Sequence, residues 1–285
     1  MKTKIYFRVV GGIGNQLFIY FAGKALEYSG HKVIFDLKSG FFWDEHGRKP
    51  ILQKIDNELN KSSWLDVILF YVVKYFTSPF FGLFIKEKTP NTFTDLSNFQ
   101  NKLNFVEGYF QSFNYFETYK NQIIQNLNFD IIEDEIYLKF QKKIKLAKEP
   151  ICIHIRTVQK SEKTTKEEEK ELLDINFYNQ AIKQMFEKFG ESSNFFVFAR
   201  DLQWAKKNLP KDYKYNFIDT TIKNDLYEFI LMSNCKNFIL ANSTFSWWAA
   251  YISNSKNVFY REQTNQFIGI KEGYFPSVWK KLKSK

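Results

Sequence analysis

A chain of 285 residues, 44% hydrophobic and 19% aromatic, can bury one large core or two medium ones, and its length favours about two domains. Cys152 and Cys235, both set in apolar stretches, are too few for a disulfide framework and suit a reducing compartment. The net charge of +10 calls for an acidic partner, but the basic residues are scattered as Lys among acids, as in "EKTTKEEEKE" (162–171). That pattern excludes an Arg-rich stripe of the kind that reads nucleic acid.

At the N-terminal end, "KIYFRVV" (4–10) predicts a strand. The spacing of Leu17, Phe21, Ala25 and Tyr28 predicts a helix from Asn15 to Ser29 with Gly30 at its C-cap, and "HKVIFD" (31–36) predicts a second strand. The loop between them tests two nucleotide motifs. A dinucleotide fingerprint counted from Gly12 and Gly14 needs a third glycine where Leu17 stands, and a phosphate loop needs lysine and a hydroxyl where Asn15 and Gln16 stand. What remains is a tight turn that lets the backbone approach a ligand, followed by two amides able to hydrogen-bond sugar hydroxyls. Polar residues directly after Val10 interrupt any secretory h-region, so the expected location is cytoplasmic.

Residues 40–145 read as a mostly helical middle rich in Phe, Tyr, Asn and Lys. Within it, "WLDVILFYVVKYFTSPFFGLFI" (64–85) is the most hydrophobic window, and Asp66, Lys74 and Pro79 break it before it can span a bilayer. It reads either as a pair of core helices or as an interfacial patch that rests on the inner face of an anionic membrane. After Pro150 the pattern sharpens. "ICIHIR" (151–156), "NFFVFA" (194–199), "YNFID" (215–219), "NFILA" (237–241) and "NVFY" (257–260) are short apolar runs separated by helical segments, the signature of a parallel, doubly wound sheet. Since residue 4 starts the same way, the expected architecture is α/β, with two facing Rossmann-like domains at 1–149 and 150–285 and a helical, aromatic-rich middle region.

The second half carries the candidate chemistry. "NSTFSWWAAYI" (242–252) follows a strand and opens a helix, so Asn242, Ser243, Thr244 and the unsatisfied amides form an anion site. His154 and Arg156 alternate onto one face of the strand before them, and an arginine closing an apolar strand needs an anion or a buried carboxylate. Asp225 opens another helix, where an acid suits either the helix dipole or a ligand. Trp247 and Trp248 are expected to pack that helix rather than stack on sugar.

"GGIGNQLF" (11–18), "FVEGYFQS" (105–112), "HIR" (154–156), "FVFARDLQW" (196–204) and "DLYEFILMSNCKNFILANSTFSWWAAYI" (225–252) together resemble the bacterial alpha-1,2-fucosyltransferases of glycosyltransferase family eleven, in that family's order and over most of the chain. The resemblance implies a GT-B-like fold and an inverting transfer from GDP-fucose to a galactose-terminated acceptor, free or lipid-linked, in surface polysaccharide or O-antigen synthesis. It implies no obligatory metal and no other cofactor, in keeping with the absence of any Asp-x-Asp in the sequence. It assigns Arg156 to the diphosphate as the catalytic residue, with Ser243 and Thr244 at the helix start and Asn242 beside them. His154 and Asp225 would read the guanine, and Gly12, Gly14 and Asn15 would line the cleft against sugar and phosphates.

Two departures stand out. The family pattern His-x-Arg-Arg-Gly-Asp is here His154-Ile155-Arg156-Thr157-Val158-Gln159, which loses the second arginine and the aspartate. Its Phe-Ser-Asp-Asp is here Phe198-Ala199-Arg200-Asp201, which trades an acid for a base. Candidates for a general base are Asp36, Asp44, Glu45 and the acids between 162 and 171. Two alternatives stay open: another GDP-sugar or fucosyl-linkage transferase on this scaffold, and a catalytically silent glycan-binding relative.

Overall fold

The structure, a computed structural model, describes residues 3–77, 84–87, 96, 102–156, 175–220, 223–261 and 273–282. The chain divides into two units, Met1–Phe129 with Lys271–Phe275 and Asp130–Ile270 with Pro276–Lys285.

The first unit runs β1 (Lys4–Arg8), α1 (Ile13–Tyr28), β2 (Lys32–Asp36), α2 (Leu52–Ile55), α3 (Trp64–Val72), β3 (Phe84–Lys86), β4 (Leu103–Glu107) and α4 (Lys120–Gln125). Its strands form a parallel sheet in the order β2-β1-β4-β3. The middle of the chain therefore supplies two strands as well as helices. α1 stops where Gly30 takes φ +95°, with the Gly30 N–H donating to Glu27 O and the His31 N–H donating to Leu26 O. That paired closure satisfies two of the carbonyls a helix end leaves open. α3 buries Val67 and Phe70, and Phe70 packs in a core with Tyr6, Ile34 and Phe105.

The second unit runs α5 (Glu135–Leu146), β5 (Glu149–Ile155), α6 (Ile175–Phe189), β6 (Ser193–Ala199), α7 (Leu202–Asn208), β7 (Tyr215–Phe217), α8 (Asp225–Ser233), β8 (Asn237–Ile239), α9 (Thr244–Ile252), β9 (Asn257–Arg261) and β10 (Lys280–Leu282). The strands are all parallel in the order β10-β9-β8-β5-β6-β7. Ile151, Ile153 and Ile155 pack with Phe177, Ala181 and Met185 of α6 and Ala205 of α7. On the opposite face the His154 ring lies 5.8 Å from that of Phe245 in α9, which lies 5.6 Å from Phe229 in α8. Helices thus cover both faces of the sheet, the doubly wound arrangement.

The division falls before α5 rather than at the expected 149/150. The reason is Tyr137, buried in α5 at 1% exposure, whose hydroxyl accepts the Asn224 N–H at 2.9 Å and meets Thr220 Oγ1 at 3.2 Å. α5 is therefore fastened to the start of α8.

Candidate functional site

In the second sheet the chain moves from β5 outward to β6 and β7 on one side, then returns to build β8, β9 and β10 on the other. The order reverses between β5 and β8, and ligands of open parallel sheets bind outside the strand ends at such a point. Arg156 follows β5 there, and Asn242–Thr244 join β8 to α9 there. The sequence-expected anion residues meet in one place: Arg156 Nη1 donates to the Asn242 main-chain oxygen at 3.3 Å. Asn242 acts in this contact through its carbonyl rather than its amide. Ser243 is the N-cap of α9, its Oγ accepting the Phe245 N–H at 3.2 Å. Thr244 is the first helical residue. Trp247 and Trp248, 1% and 0% exposed, pack the helix as the sequence suggests.

His154 and Arg156 both reach the α9 side of the sheet, as strand alternation requires. Burial, reinforced by the neighbouring Arg156 charge, pushes the His154 pKa down to about 3, so its imidazole is neutral near pH 7. Its main-chain oxygen accepts the Tyr178 hydroxyl at 3.1 Å, while Nδ1 is buried without a hydrogen-bond partner. Asp225 opens α8 as its first helical residue and is exposed. The capping role belongs to the residue before it: Asn224 Oδ1 accepts the N–H groups of Leu226 and Tyr227 at 3.1 and 3.2 Å. That Asn224–Tyr137–Thr220 brace carries no local sequence signal, because it joins residues more than 80 positions apart.

The first sheet has its own reversal between β1 and β4. Gly11 at φ +82° makes the turn after β1, and a Cβ there would lie 2.9 Å from Asn15 Nδ2. Gly12 is the N-cap of α1, Gly14 is buried in its first turn, and Asn15 Oδ1 accepts Gln111 Nε2 at 2.9 Å, which ties the helix start to the segment after β4. The expectation that Gln16 meets sugar is corrected. It is 1% exposed, its Nε2 donating to the oxygens of Gly11 and Lys49 at 2.9 Å each and its Oε1 accepting the Ile51 N–H at 2.8 Å.

The general-base candidates also separate. Asp36 is 3% exposed and accepts from the Lys38 and Ser39 N–H groups and from the Ser39 and Ser62 hydroxyls, so it anchors a loop. Asp44 accepts from the His46 and Arg48 N–H groups, and Glu45 is exposed. The acids of 162–171 lie outside the described residues. Among the described residues no three His, Cys, Asp or Glu side chains converge as a metal site.

Two parallel, Rossmann-like sheets, each with its candidate residues at the strand-order reversal, define a GT-B glycosyltransferase fold. The solved fucosyltransferase NodZ from Bradyrhizobium shares it, with a TM-score of 0.50 over 88% of this chain and 94% of that one, at 13% identity. The chain belongs to glycosyl transferase family 11, whose model matches residues 84–283. It is 26% identical to an alpha-1,2-colitosyltransferase of Escherichia coli over 87% of each chain. It is 29% identical to a galactoside 2-alpha-L-fucosyltransferase of Caenorhabditis elegans over 61% of this chain and 51% of that one.

Proposed function

We propose that this glycosyltransferase moves L-fucose from GDP-fucose to the 2-hydroxyl of a terminal galactose, with inversion and without an obligatory metal. The observation that carries the reading is the Arg156 guanidinium held at the start of α9 by the Asn242 carbonyl. In such a transfer the acceptor oxygen forms its bond to the anomeric carbon as the bond to the diphosphate breaks. The electron pair leaves with GDP, and the acceptor proton passes to a base. Most of the barrier is charge growing on the diphosphate, and a fixed guanidinium with a helix N-terminus stabilises that charge without reorganising. His154, neutral, and Asp225, a carboxylate free of the capping duty, would read the guanine. Gly12, Gly14 and Asn15 would present the turn of the first unit to sugar and phosphates.

Mass spectrometry of products from GDP-fucose and a galactose-terminated oligosaccharide, with and without EDTA, tests the reading. A fucosylated product whose yield survives EDTA is expected. Glycan binding without product would leave a silent relative, and activity rescued only by manganese or magnesium would remove the metal-independent mechanism. The colitosyltransferase relative favours a second reading with a different GDP-linked deoxysugar, which the same assay separates by offering both donors.

No helix among the described residues is long and apolar enough to cross a membrane. The outer side of α3 nevertheless presents Leu65 at 77% exposure and Ile68 at 58%, near Trp43 at 84% and Tyr75 at 71%. We propose that this stripe, with the +10 charge, rests on an anionic lipid surface. Co-flotation with phosphatidylglycerol vesicles that Leu65→Glu abolishes is expected, and recovery in the soluble fraction at low salt would refute it.

A further inference from the structure

The ends of β5 and β6 pair in register, His154 opposite Phe198 and Ile155 opposite Ala199. Ile155 and Ala199 both belong to the core beneath α6 and α7. The residue that follows each strand is an arginine, Arg156 and Arg200, and both are exposed. Arg156 turns away from that core to meet the Asn242 oxygen, and Arg200 holds the corresponding position after the paired strand. Neighbouring strands lie about 4.8 Å apart, so the two arginines leave adjoining strand ends, Arg156 at the strand-order reversal and Arg200 one strand away from it.

We propose that Arg200 is a second diphosphate-binding residue, working with Arg156 as a two-arginine clamp on the β-phosphate of the departing nucleoside diphosphate. The inference rests on the donor reading above and adds a residue to it. In sequence the second cation looks absent, since Thr157 follows Arg156. In the fold, the neighbouring strand delivers one at the adjoining position. A diphosphate spreads its charge over several oxygens, so it can take planar, charge-assisted hydrogen bonds from two guanidinium groups at once.

Calorimetry of GDP and GMP binding to the whole chain tests it, because GMP lacks the β-phosphate. Arg200→Ala is expected to weaken GDP about tenfold or more while changing GMP little, the loss of a charge-assisted phosphate contact. Arg200→Asp should weaken GDP further, and Arg200→Lys, which keeps the charge but not the fork, should fall between and remains readable if the alanine variant does not fold. Unchanged GDP affinity in Arg200→Ala, or equal losses for GDP and GMP, would overturn the proposal while leaving the donor reading intact. Wild-type protein that binds neither nucleotide would overturn the donor reading, and the clamp with it.

Discussion

Arg156 is the residue on which the proposed transfer turns. Its contact with the Asn242 oxygen orients the guanidinium, and a carbonyl does so without cancelling the positive charge that the proposed leaving diphosphate would need. Arg156→Ala is expected to lower turnover of GDP-fucose about 100-fold or more, as removal of a preorganised donor does. Arg156→Lys should recover little, because an ammonium cannot reproduce the planar fork. Steady-state kinetics measure both, and near wild-type rates for the alanine variant would move the phosphate contact to another residue. Asp225 is a cleaner probe than sequence alone allows, because Asn224 does the capping. Guanine offers its ring N–H and exocyclic amine side by side, which one carboxylate can accept together, whereas adenine offers no such pair. Asp225→Ala should therefore weaken GDP and leave ADP binding and the melting temperature nearly unchanged. A variant that loses stability but keeps its guanine preference would return Asp225 to the helix dipole.

At the scale of elements, apolar runs set between helical segments are legible even where the strand is short, as at β7 and β8, and short runs without that setting are not. β5 and β6, seven residues each, and α1 with its glycine stop are written in local periodicity and turn chemistry. β3 and β10, three residues each, have too little pattern to separate from loop. β4, "LNFVE", is apolar enough but sits among helical segments, and its strand state comes from pairing with β1. The opening glycine loop is half legible: its glycines signal the turn that Gly11 makes at φ +82°, but the close helix–strand approach lies at Gly23, where a Cβ would come 2.6 Å from the Phe35 ring. Gln16 escaped because its partners at Lys49 and Ile51 are more than 30 residues away. Gln16→Leu would leave three main-chain groups of the α1 entry without those bonds, and buried unsatisfied groups cost about 1–3 kcal/mol each. A loss of about 3 kcal/mol or more in urea denaturation is expected. A loss under about 1 kcal/mol would mean that the loops relax to water instead.

At the scale of the whole molecule, the buried His154 makes folding itself sensitive to acid. His154 has a pKa of about 3 in the folded chain against an ordinary 6.5, and burial lowers His31 as well. Between these limits the unfolded chain binds protons that the folded chain refuses, so folding stability falls as pH drops below about 6.5. The slope is at most about 1.4 kcal/mol per pH unit for each histidine. Asp44, held low mainly by the Arg48 N–H, acts in the same direction only once pH falls below the ordinary 3.8, so it cannot account for losses near pH 6. Glu228, raised by burial, acts in the opposite direction. Its contribution is fully present below the ordinary 4.5 and fades as pH rises through its folded value, so it blunts the acid end of the loss. Urea midpoints should therefore decline from pH 6.5 toward 4.5, and His154→Asn, which cannot take the proton, should flatten that decline by up to one proton's slope. The readout is the slope rather than the absolute stability, which the substitution will also change through the packing on Phe245. An unaltered slope in the variant would mean that His154 protonates readily in the folded chain, and would withdraw the neutral imidazole from the guanine-reading role proposed for it.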